Sequence, residues 1–196
     1  MNISIATWNV NSIRSRLPHL LGWLREYKPD IVLLQELKCT DDAFPSMEIE
    51  ELGYNMAVYG EKTYNGVAII SKFPLDDISR GLAGDELDTH SRYIEATASV
   101  GNGAIRVASV YVPNGQLAPS DKFSYKLRFL DRLQVHIKSL LDYEEIFVIG
   151  FVFLSVSCVF RIIAKDINPR RSPTRFAGTV LARDHMPAAR PGAPLG

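Results

Sequence analysis

The sequence predicts an α/β (α+β) domain, and three observations carry this prediction. The chain opens with a strand, a helix and a second strand, a βαβ-like order. A turn at 101–103 (Gly-Asn-Gly) joins the alternating segments 93–100 and 104–112, which is typical of a β-hairpin. An amphipathic helix is predicted from Ser120, its N-cap, and an apolar strand at 146–149 follows it. The chain therefore combines sheet layers with helices.

The opening unit can be justified element by element. Residues 3–7 alternate as a strand with one covered face does. A helix is predicted next, with Pro18 tolerated in its first turn, from apolar residues at helical spacing: Leu17, Leu20, Leu21, Trp23, Leu24 and Tyr27. The apolar run 30–35 predicts a strand that is buried on both faces and ends at Glu36.

The later elements follow the same logic. Segments 54–59 and 66–71 predict strands separated by a Gly/Asn turn, and Pro74 ends the second. One face of the long helix is marked by Phe123, Leu127, Leu130, Leu133, Ile137, Leu140 and Leu141. Strand 146–149 is expected to end at Gly150 and to lead into a catalytic loop.

The composition changes at Gly150. Residues 1–150 hold 15 Lys and Arg against 20 Asp and Glu, whereas residues 151–196 hold 7 against 2. The second segment also carries 5 of the 11 prolines, mostly within 170–173 and 188–196. Such Pro- and Arg-rich stretches predict a disordered tail.

The overall composition suits one globular domain, with 46% apolar and 22% charged residues. Two cysteines, Cys39 and Cys158, make no disulfide framework, and the N-terminus lacks the pattern of a signal peptide. A cytoplasmic location is expected, and a monomer if the chain folds. The net charge of zero neither indicates nor excludes nucleic acid, because that binding needs only a local basic face.

Two polar residues stand where apolar strands end. Asn9 ends the first strand and Glu36 follows the second, and strand ends collect site residues because a rigid sheet aims them. A lone Glu at a strand end is more often a solvated carboxylate. If the two strands are neighbours, however, a carboxylate and an amide oxygen form an oxygen donor set that suits Mg²⁺.

These residues belong to motifs that resemble the exodeoxyribonuclease III and apurinic/apyrimidinic endonuclease family, within the endonuclease/exonuclease/phosphatase superfamily. The first two motifs are Thr7-Trp8-Asn9-Val10-Asn11-Ser12-Ile13-Arg14 and Pro29-Asp30-Ile31-Val32-Leu33-Leu34-Gln35-Glu36-Leu37-Lys38-Cys39. The match continues in order with Leu52-Gly53-Tyr54, Asn65-Gly66-Val67-Ala68-Ile69, Arg92-Tyr93-Ile94 and Tyr111-Val112-Pro113-Asn114-Gly115. It covers residues 1–150, which we interpret as the N-terminal part of such a domain, with 151–196 as a tail outside the family.

The resemblance implies a fold, an activity and site roles. It implies a four-layer α-β-β-α sandwich, here incomplete because its C-terminal part is missing, and a Mg²⁺-dependent nuclease, with Mn²⁺ as an alternative ion. The implied partner is double-stranded DNA with abasic sites or 3′ ends. By resemblance, Glu36 binds the metal directly, and Asn9 orients Glu36 or binds the metal through water. Tyr111 contacts the scissile phosphate. Arg92 and Asn114 correspond to contacts with the DNA backbone, although each alone would be an ordinary surface residue.

One motif of the resembled family is absent. The family takes its catalytic base from Gly-Asp-x-Asn after the strand equivalent to 146–149, but Phe151 and Phe153 stand at the Asp and Asn positions. Phenylalanine can neither accept a proton nor bind a metal. The tail contains echoes of the lost motifs, namely Asp166, Asn168, Asp184 and His185. They fall late, and Lys165 replaces the motif glycine, so they are weighed as remnants that contribute little.

The interruption leaves three hypotheses open. The chain is an active or impaired DNA-repair nuclease, an inactive product of truncation or of a shifted reading frame, or a membrane-associated phosphoesterase of the same superfamily. The third rests on residues 146–160, which carry no charge, and on the apolar extension to Ala164. A membrane span needs about 20 apolar residues, so this segment is short and a membrane partner is not expected.

Overall fold

The computed structural model describes residues 2–143, 146–153, 156–164 and 175–180. Its strands are β1 (Asn2–Asn9), β2 (Ile31–Gln35), β3 (Asn55–Tyr59), β4 (Val67–Ser71), β5 (Leu75–Arg80), β6 (Tyr93–Val100), β7 (Gly103–Val110), β8 (Ile146–Phe153), β9 (Val156–Ala164) and β10 (Arg175–Val180). The α-helices are α1 (Ile13–Tyr27), α2 (Ser46–Glu50) and α3 (Asp121–Tyr143), and Asp41–Ala43 form a 3₁₀ turn.

The strands form two five-stranded sheets. The first sheet has the order β10-β1-β2-β4-β3, in which β1 is parallel to both β10 and β2. The second has the order β5-β6-β7-β8-β9, in which β7 is parallel to β8 and the other neighbours are antiparallel. In the first sheet, Asn9 stands opposite Gln35. The parallel pairing of β1 and β2 therefore brings their carboxyl ends to one edge.

Three apolar clusters hold the sheets and helices in four layers. α1 contributes Ile13, Leu20, Trp23 and Leu24 to a cluster with residues of the first sheet that include Trp8, Val32 and Leu34. The cluster between the sheets combines Ile3, Ile5, Ile31, Leu33, Val67 and Ile69 with Ile94, Ala96, Ala98, Ile105 and Val107. Phe129 and Leu133 of α3 pack with Tyr93, Ala108 and Val110 on the outer face of the second sheet.

A small polar network crosses the apolar layer between the sheets. The side chain of Gln35 contacts the Thr7 hydroxyl, and its Nε2 donates to Ser109 Oγ at 2.9 Å. Ser109 Oγ in turn donates to the carbonyl oxygen of Leu34 at 2.7 Å. Gln35, Thr7 and Ser109 have no exposed surface, so each polar group must find its partner inside the protein.

The architecture confirms the predicted α/β class and the layered order of helix, sheet, sheet and helix. Helix α1 begins at Ile13, with Ser12 as its N-cap, so Pro18 lies in the second turn and its predicted place in the first turn was wrong. Strand β1 is covered on both faces rather than one, because α1 packs on one side of its sheet and the second sheet on the other.

Two expectations for the C-terminal part also differ. The strand predicted at 146–149 continues through Gly150 to Phe153, where β8 pairs with β9. Strands β9 and β10 belong to the segment whose composition predicts disorder. The Pro- and Arg-rich stretches 170–173 and 188–196 lie outside the described residues, and the domain boundary at 150 stays a prediction.

The apolar segment considered for membrane insertion forms β-strands. Residues 146–153 are β8 and 156–164 are β9. Among the helices of the described residues, none combines the length and apolar content needed to cross a membrane.

Candidate active site

Asn9 and Glu36 meet at the edge where β1 and β2 end. The Nδ2 of Asn9 donates to Glu36 Oε1 at 2.6 Å, and the Asn9 Oδ1 accepts from the backbone N–H of Asn11 at 3.0 Å. Since β1 and β2 are parallel neighbours, the sheet itself places the two side chains together. The Asn9 amide thus restrains the Glu36 carboxylate, while the roles of both residues at a metal stay predictions.

The loop that carries Glu36 is held in an unusual backbone conformation. Glu36 and Lys38 both have a φ of 56°, which costs non-glycine residues about 1 kcal/mol or more. Backbone hydrogen bonds hold it there, from Ser12 N to Glu36 O at 2.8 Å and from Leu37 N to Gly66 O at 3.1 Å. Gly66 has a φ of 87°, and a Cβ there would lie 2.8 Å from Leu37 Cβ. Only glycine fits this close approach.

The carboxylate of Glu36 is buried yet favoured in its charged form. The residue is 8% exposed, and this burial, the largest single influence, acts to raise its pKa. Hydrogen bonds from Asn9, Lys38 and Tyr111 together outweigh burial and lower the pKa below its ordinary value. The ammonium of Lys38 lies 3.2 Å from Glu36 Oε2. Glu36 is therefore an anion at neutral pH.

Tyr111 and Arg92 form the opposite part of the site, at the end of the second sheet. Burial, followed by the charge and hydrogen bonding of Glu36, raises the pKa of Tyr111 to about 12. The Arg92 guanidinium lies over the Tyr111 ring, 4.9 Å from its centroid, and its Nη1 donates to Tyr111 O at 3.4 Å. Tyr111 is thus a neutral hydroxyl donor between an anion and a cation.

These groups open onto a pocket of about 300 Å³. Its lining consists of Glu36, Lys38, Glu61, Tyr64, Asn65, His90, Arg92 and Tyr111. Sequence reasoning assigned no role to five of these residues, namely Lys38, Glu61, Tyr64, Asn65 and His90. Lys38 and Asn65 stand in the quoted motifs, whereas Glu61 and His90 lie 29 positions apart in loops and meet only through the tertiary fold.

The remaining predicted residues lie apart or outside the described residues. Asn114 is exposed, accepts a hydrogen bond from Gln116 N at 3.3 Å and does not line the pocket. Asp166, Asn168, Asp184 and His185 lie outside the part of the chain that the structure describes. The structure therefore brings together Asn9, Glu36, Tyr111 and Arg92.

The donor set at Glu36 fits a hard cation of the Mg²⁺ type. Within residues that the structure describes, no three His, Cys, Asp or Glu side chains form a ligand group. Mg²⁺ commonly takes one or two carboxylates and completes its shell with water and substrate phosphate oxygens. A single ionised carboxylate, oriented by an amide and facing a pocket, is compatible with that mode.

Comparison with known proteins identifies the family of this chain. The profile described as the endonuclease/exonuclease/phosphatase family matches residues 6–184, which extends past the segment that carries the motifs. Exodeoxyribonuclease III of Haemophilus influenzae is 33% identical over 153 residues, which are 77% of this chain and 57% of that protein.

Solved structures show the same relationship. A 3′ phosphatase from Neisseria, bound to a product DNA hairpin, matches with a TM-score of 0.72 and 38% identity over 76% of this chain and 56% of its own. An AP endonuclease from Archaeoglobus fulgidus matches with a TM-score of 0.69 and 39% identity over 75% of this chain and 55% of its own. The chain thus spans little more than half the length of these relatives. Its sequence and its fold agree that it belongs to the endonuclease/exonuclease/phosphatase family.

Proposed function

We propose that residues 1–150 of this chain form the N-terminal part of a Mg²⁺-dependent DNA-repair nuclease domain, of the kind that incises DNA at abasic sites and removes nucleotides from 3′ ends. One observation carries the proposal. A buried, ionised Glu36 is oriented by Asn9 and accepts a hydrogen bond from Tyr111, beside a pocket that Arg92 also lines. The names of the relatives support a DNA substrate.

The donors of the pocket suit a phosphodiester. Arg92 Nε is buried and has no hydrogen-bond partner among the described residues. Guanidinium groups bind phosphate oxygens with strong, charge-assisted hydrogen bonds. Tyr111, neutral over the physiological pH range, can donate a hydrogen bond to an oxygen on which negative charge develops. Lys38 adds a second cation to the lining.

Glu36 would hold the Mg²⁺ ion and Asn9 would keep the carboxylate in position. When bound, such an ion offsets the charge of the phosphate. Mn²⁺ prefers similar ligands and could replace it. Hydrolysis also needs a base to activate water. Because Phe151 and Phe153 stand at the positions of the expected Asp and Asn, we propose that hydrolysis by this chain is impaired.

The test is incision of a duplex with one abasic site by the purified chain in Mg²⁺, beside Glu36→Ala and an EDTA control. Glu51→Gln, which removes an exposed carboxylate from the end of α2, is the matched control. Incision that disappears in Glu36→Ala and in EDTA but persists in Glu51→Gln would support the activity. Asp166, Asn168, Asp184 and His185 would then be the next residues to mutate as sources of the missing base.

The alternative is an inactive protein that retains the DNA pocket. It is favoured by one observation, the loss of Gly-Asp-x-Asn where β8 runs on to Phe153. Binding of abasic DNA without incision would support it. Translating the coding DNA in the other two frames after codon 150 tests its origin, since a recovered Gly-Asp-x-Asn would establish a shifted reading frame.

A further inference from the structure

We propose that Glu61 is a positioning residue that holds the Arg92 wall of the pocket against the Glu36 wall. This inference rests on the proposed function, because it concerns the same phosphate-binding site. Glu61 lies in the loop between β3 and β4, and it lines the pocket. The resemblance assigns it no role.

The carboxylate of Glu61 collects hydrogen-bond donors from two loops. Its Oε2 accepts from the Ser91 backbone N–H at 2.9 Å and from Asn65 Nδ2 at 2.8 Å. Its Oε1 lies 3.3 Å from His90 Nδ1. The Glu61 side chain is only 28% exposed, so water competes little with these hydrogen bonds.

Two hydrogen bonds beside Glu61 complete a joint between the two sheets. Ser91 Oγ donates to Gly60 O at 2.9 Å, and Gly66 N donates to Ser91 O at 2.9 Å. Gly60 and Gly66 belong to the β3–β4 loop of the first sheet, while Ser91 precedes β6 of the second. Glu61 supplies the charged centre of this joint.

The second half of the joint leads directly to Arg92. Ser91 is its neighbour in the chain, and Arg92 O accepts the backbone N–H of Tyr111 at 2.8 Å. The Arg92 guanidinium then lies over the Tyr111 ring. A shift of Ser91 would therefore move both the cation and the hydroxyl that face Glu36.

The first half of the joint leads to Glu36. Asn65, held by Glu61 through its side chain, accepts the backbone N–H of Lys38 at 3.0 Å through its own carbonyl oxygen. Lys38 pairs with the Glu36 carboxylate. Glu61 thus contacts a supporting residue on each side of the pocket. Asn65 supports the side with Glu36, and Ser91 supports the side with Arg92.

The number of acceptors explains why a carboxylate is required. Both oxygens of Glu61 face donors, whereas a glutamine would keep one acceptor and turn a donor toward one of these partners. Alanine would remove all three contacts. Glu61→Gln should therefore keep part of the positioning of Ser91 and Arg92 that Glu61→Ala loses.

A spectroscopic test examines the positioning without reference to activity. Amide spectra of the ¹⁵N-labelled chain report the Ser91 and Tyr111 backbone N–H groups and the Arg92 Nε–H. In Glu61→Ala we expect all three signals to move, with Ser91 moving toward the position of a weaker hydrogen bond. Glu61→Gln should move them less, and Glu51→Gln should leave them in place. Unmoved Tyr111 and Arg92 signals in folded Glu61→Ala would overturn the proposal.

A binding test examines its consequence for the ligand. The probe is a fluorescein-labelled duplex with one tetrahydrofuran abasic analogue, titrated by anisotropy in EDTA. Removing a carboxylate from a DNA site should tighten binding if charge alone mattered. Positioning predicts the opposite, a Kd about tenfold higher for Glu61→Ala, the size expected when charge-assisted hydrogen bonds are lost, with Glu61→Gln between it and the parent.

The positioning role of Glu61 and the proposed DNA site can be refuted separately. If Glu61→Ala binds as tightly as the parent or more tightly, while Arg92→Ala binds more weakly, the role of Glu61 is refuted and the DNA pocket stands. If the parent binds no better than Arg92→Ala, the proposed DNA site fails. The three amide signals would then still decide whether Glu61 positions Arg92.

Discussion

Arg92 and Tyr111 hold each other at the pocket through three contacts. The guanidinium lies over the phenol ring, 4.9 Å from its centroid, and its Nη1 reaches Tyr111 O. The Tyr111 backbone N–H in turn donates to Arg92 O at 2.8 Å. Because stacking on an aromatic face leaves the guanidinium edge available, Arg92 is oriented before any ligand arrives.

Replacement of Arg92 should weaken DNA binding in a salt-dependent way. We expect Arg92→Ala to raise the Kd for an abasic duplex about tenfold and to reduce the salt slope of log K by about 1, as the loss of one phosphate contact does. Arg92→Lys keeps the charge but loses the planar stack on the Tyr111 ring. Its Kd should therefore lie between those of the parent and Arg92→Ala. Arg25→Ala, at an exposed position of α1, is the control. An equal effect of Arg25→Ala would contradict a specific contact.

Gly150 should tolerate no side chain, because it packs between the sheets. A Cβ there would lie 2.6 Å from Leu33 Cδ1 and 2.9 Å from Thr7 Oγ1. Gly150→Ala should lower the free energy of unfolding by about 1–3 kcal/mol through overpacking. Gly22→Ala is the matched control, since nothing lies within 4 Å of its Cβ position in α1, and it should add about 0.5–1 kcal/mol. Urea denaturation of both variants would measure this, and shifts of the same sign would refute it.

Removal of the Ser109 hydroxyl should break the polar network between the sheets. Ser109→Ala removes one acceptor from Gln35 Nε2 and the hydroxyl donor from Leu34 O, in a region with no access to water. We expect a loss of about 1–3 kcal/mol in the free energy of unfolding. Ser99→Ala, which removes a hydroxyl from an exposed position of β6, should cost less than about 0.5 kcal/mol. Equal losses in the two variants would argue against the network.

Arg132 should be needed for the loop before β6. From α3 it donates to Asp88 Oδ2 at 2.8 Å, to Ala83 O at 3.0 Å and to Leu82 O. Arg132→Met keeps the apolar stem but removes the donor from these acceptors. We therefore expect the free energy of unfolding, measured by thermal denaturation, to fall by about 2–3 kcal/mol. Arg128→Met, at an exposed position of the same helix, should change stability little. A loss confined to Arg128→Met would refute the assignment.

Stability should fall in acid as Asp30 is protonated. Burial acts to raise its pKa, but hydrogen bonds from Ser4 N and Oγ and the ammonium of Lys72 outweigh it, so its pKa is lowered. A lowered pKa in the folded state means that the contribution is complete above the unfolded value of about 4 and is lost as the pH falls through the folded value.

The variant Asp30→Asn tests this sign. It should be less stable than the parent by about 1 kcal/mol at neutral pH, and the difference should shrink below about pH 4. Asp131→Asn, whose side chain is exposed on α3, should show no such trend. Urea denaturation across this pH range measures both, and a difference that grows in acid would contradict the assignment.

Local patterns predicted most of the elements because their apolar residues recur at a regular spacing. The apolar run 31–34 of β2, the alternation expected for β6 and β7, and the helical spacing of α3 can all be seen in the sequence. Strand β5 was not predicted, because its sequence Leu-Asp-Asp-Ile-Ser-Arg is mostly exposed and its pairing with β6 alone makes it a strand.

The residues of the candidate site also differ in whether a local pattern could predict them. Asn9 and Glu36 could be predicted together, since each ends an apolar strand and the parallel pairing joins them. Glu61 and His90 could not, because neither lies in a periodic segment and their contact depends on how two loops from different sheets meet. The run of β8 past Gly150 depends likewise on pairing with β9, a long-range property.

The pocket has a consequence for the order in which the protein is made. Every residue of its described lining falls between Glu36 and Tyr111, before the long helix and the altered tail. During synthesis the whole described lining is therefore translated before α3. Substitutions beyond Tyr111 therefore leave these side chains in place and act on them through packing, as Tyr125 of α3 does where its ring meets that of His90.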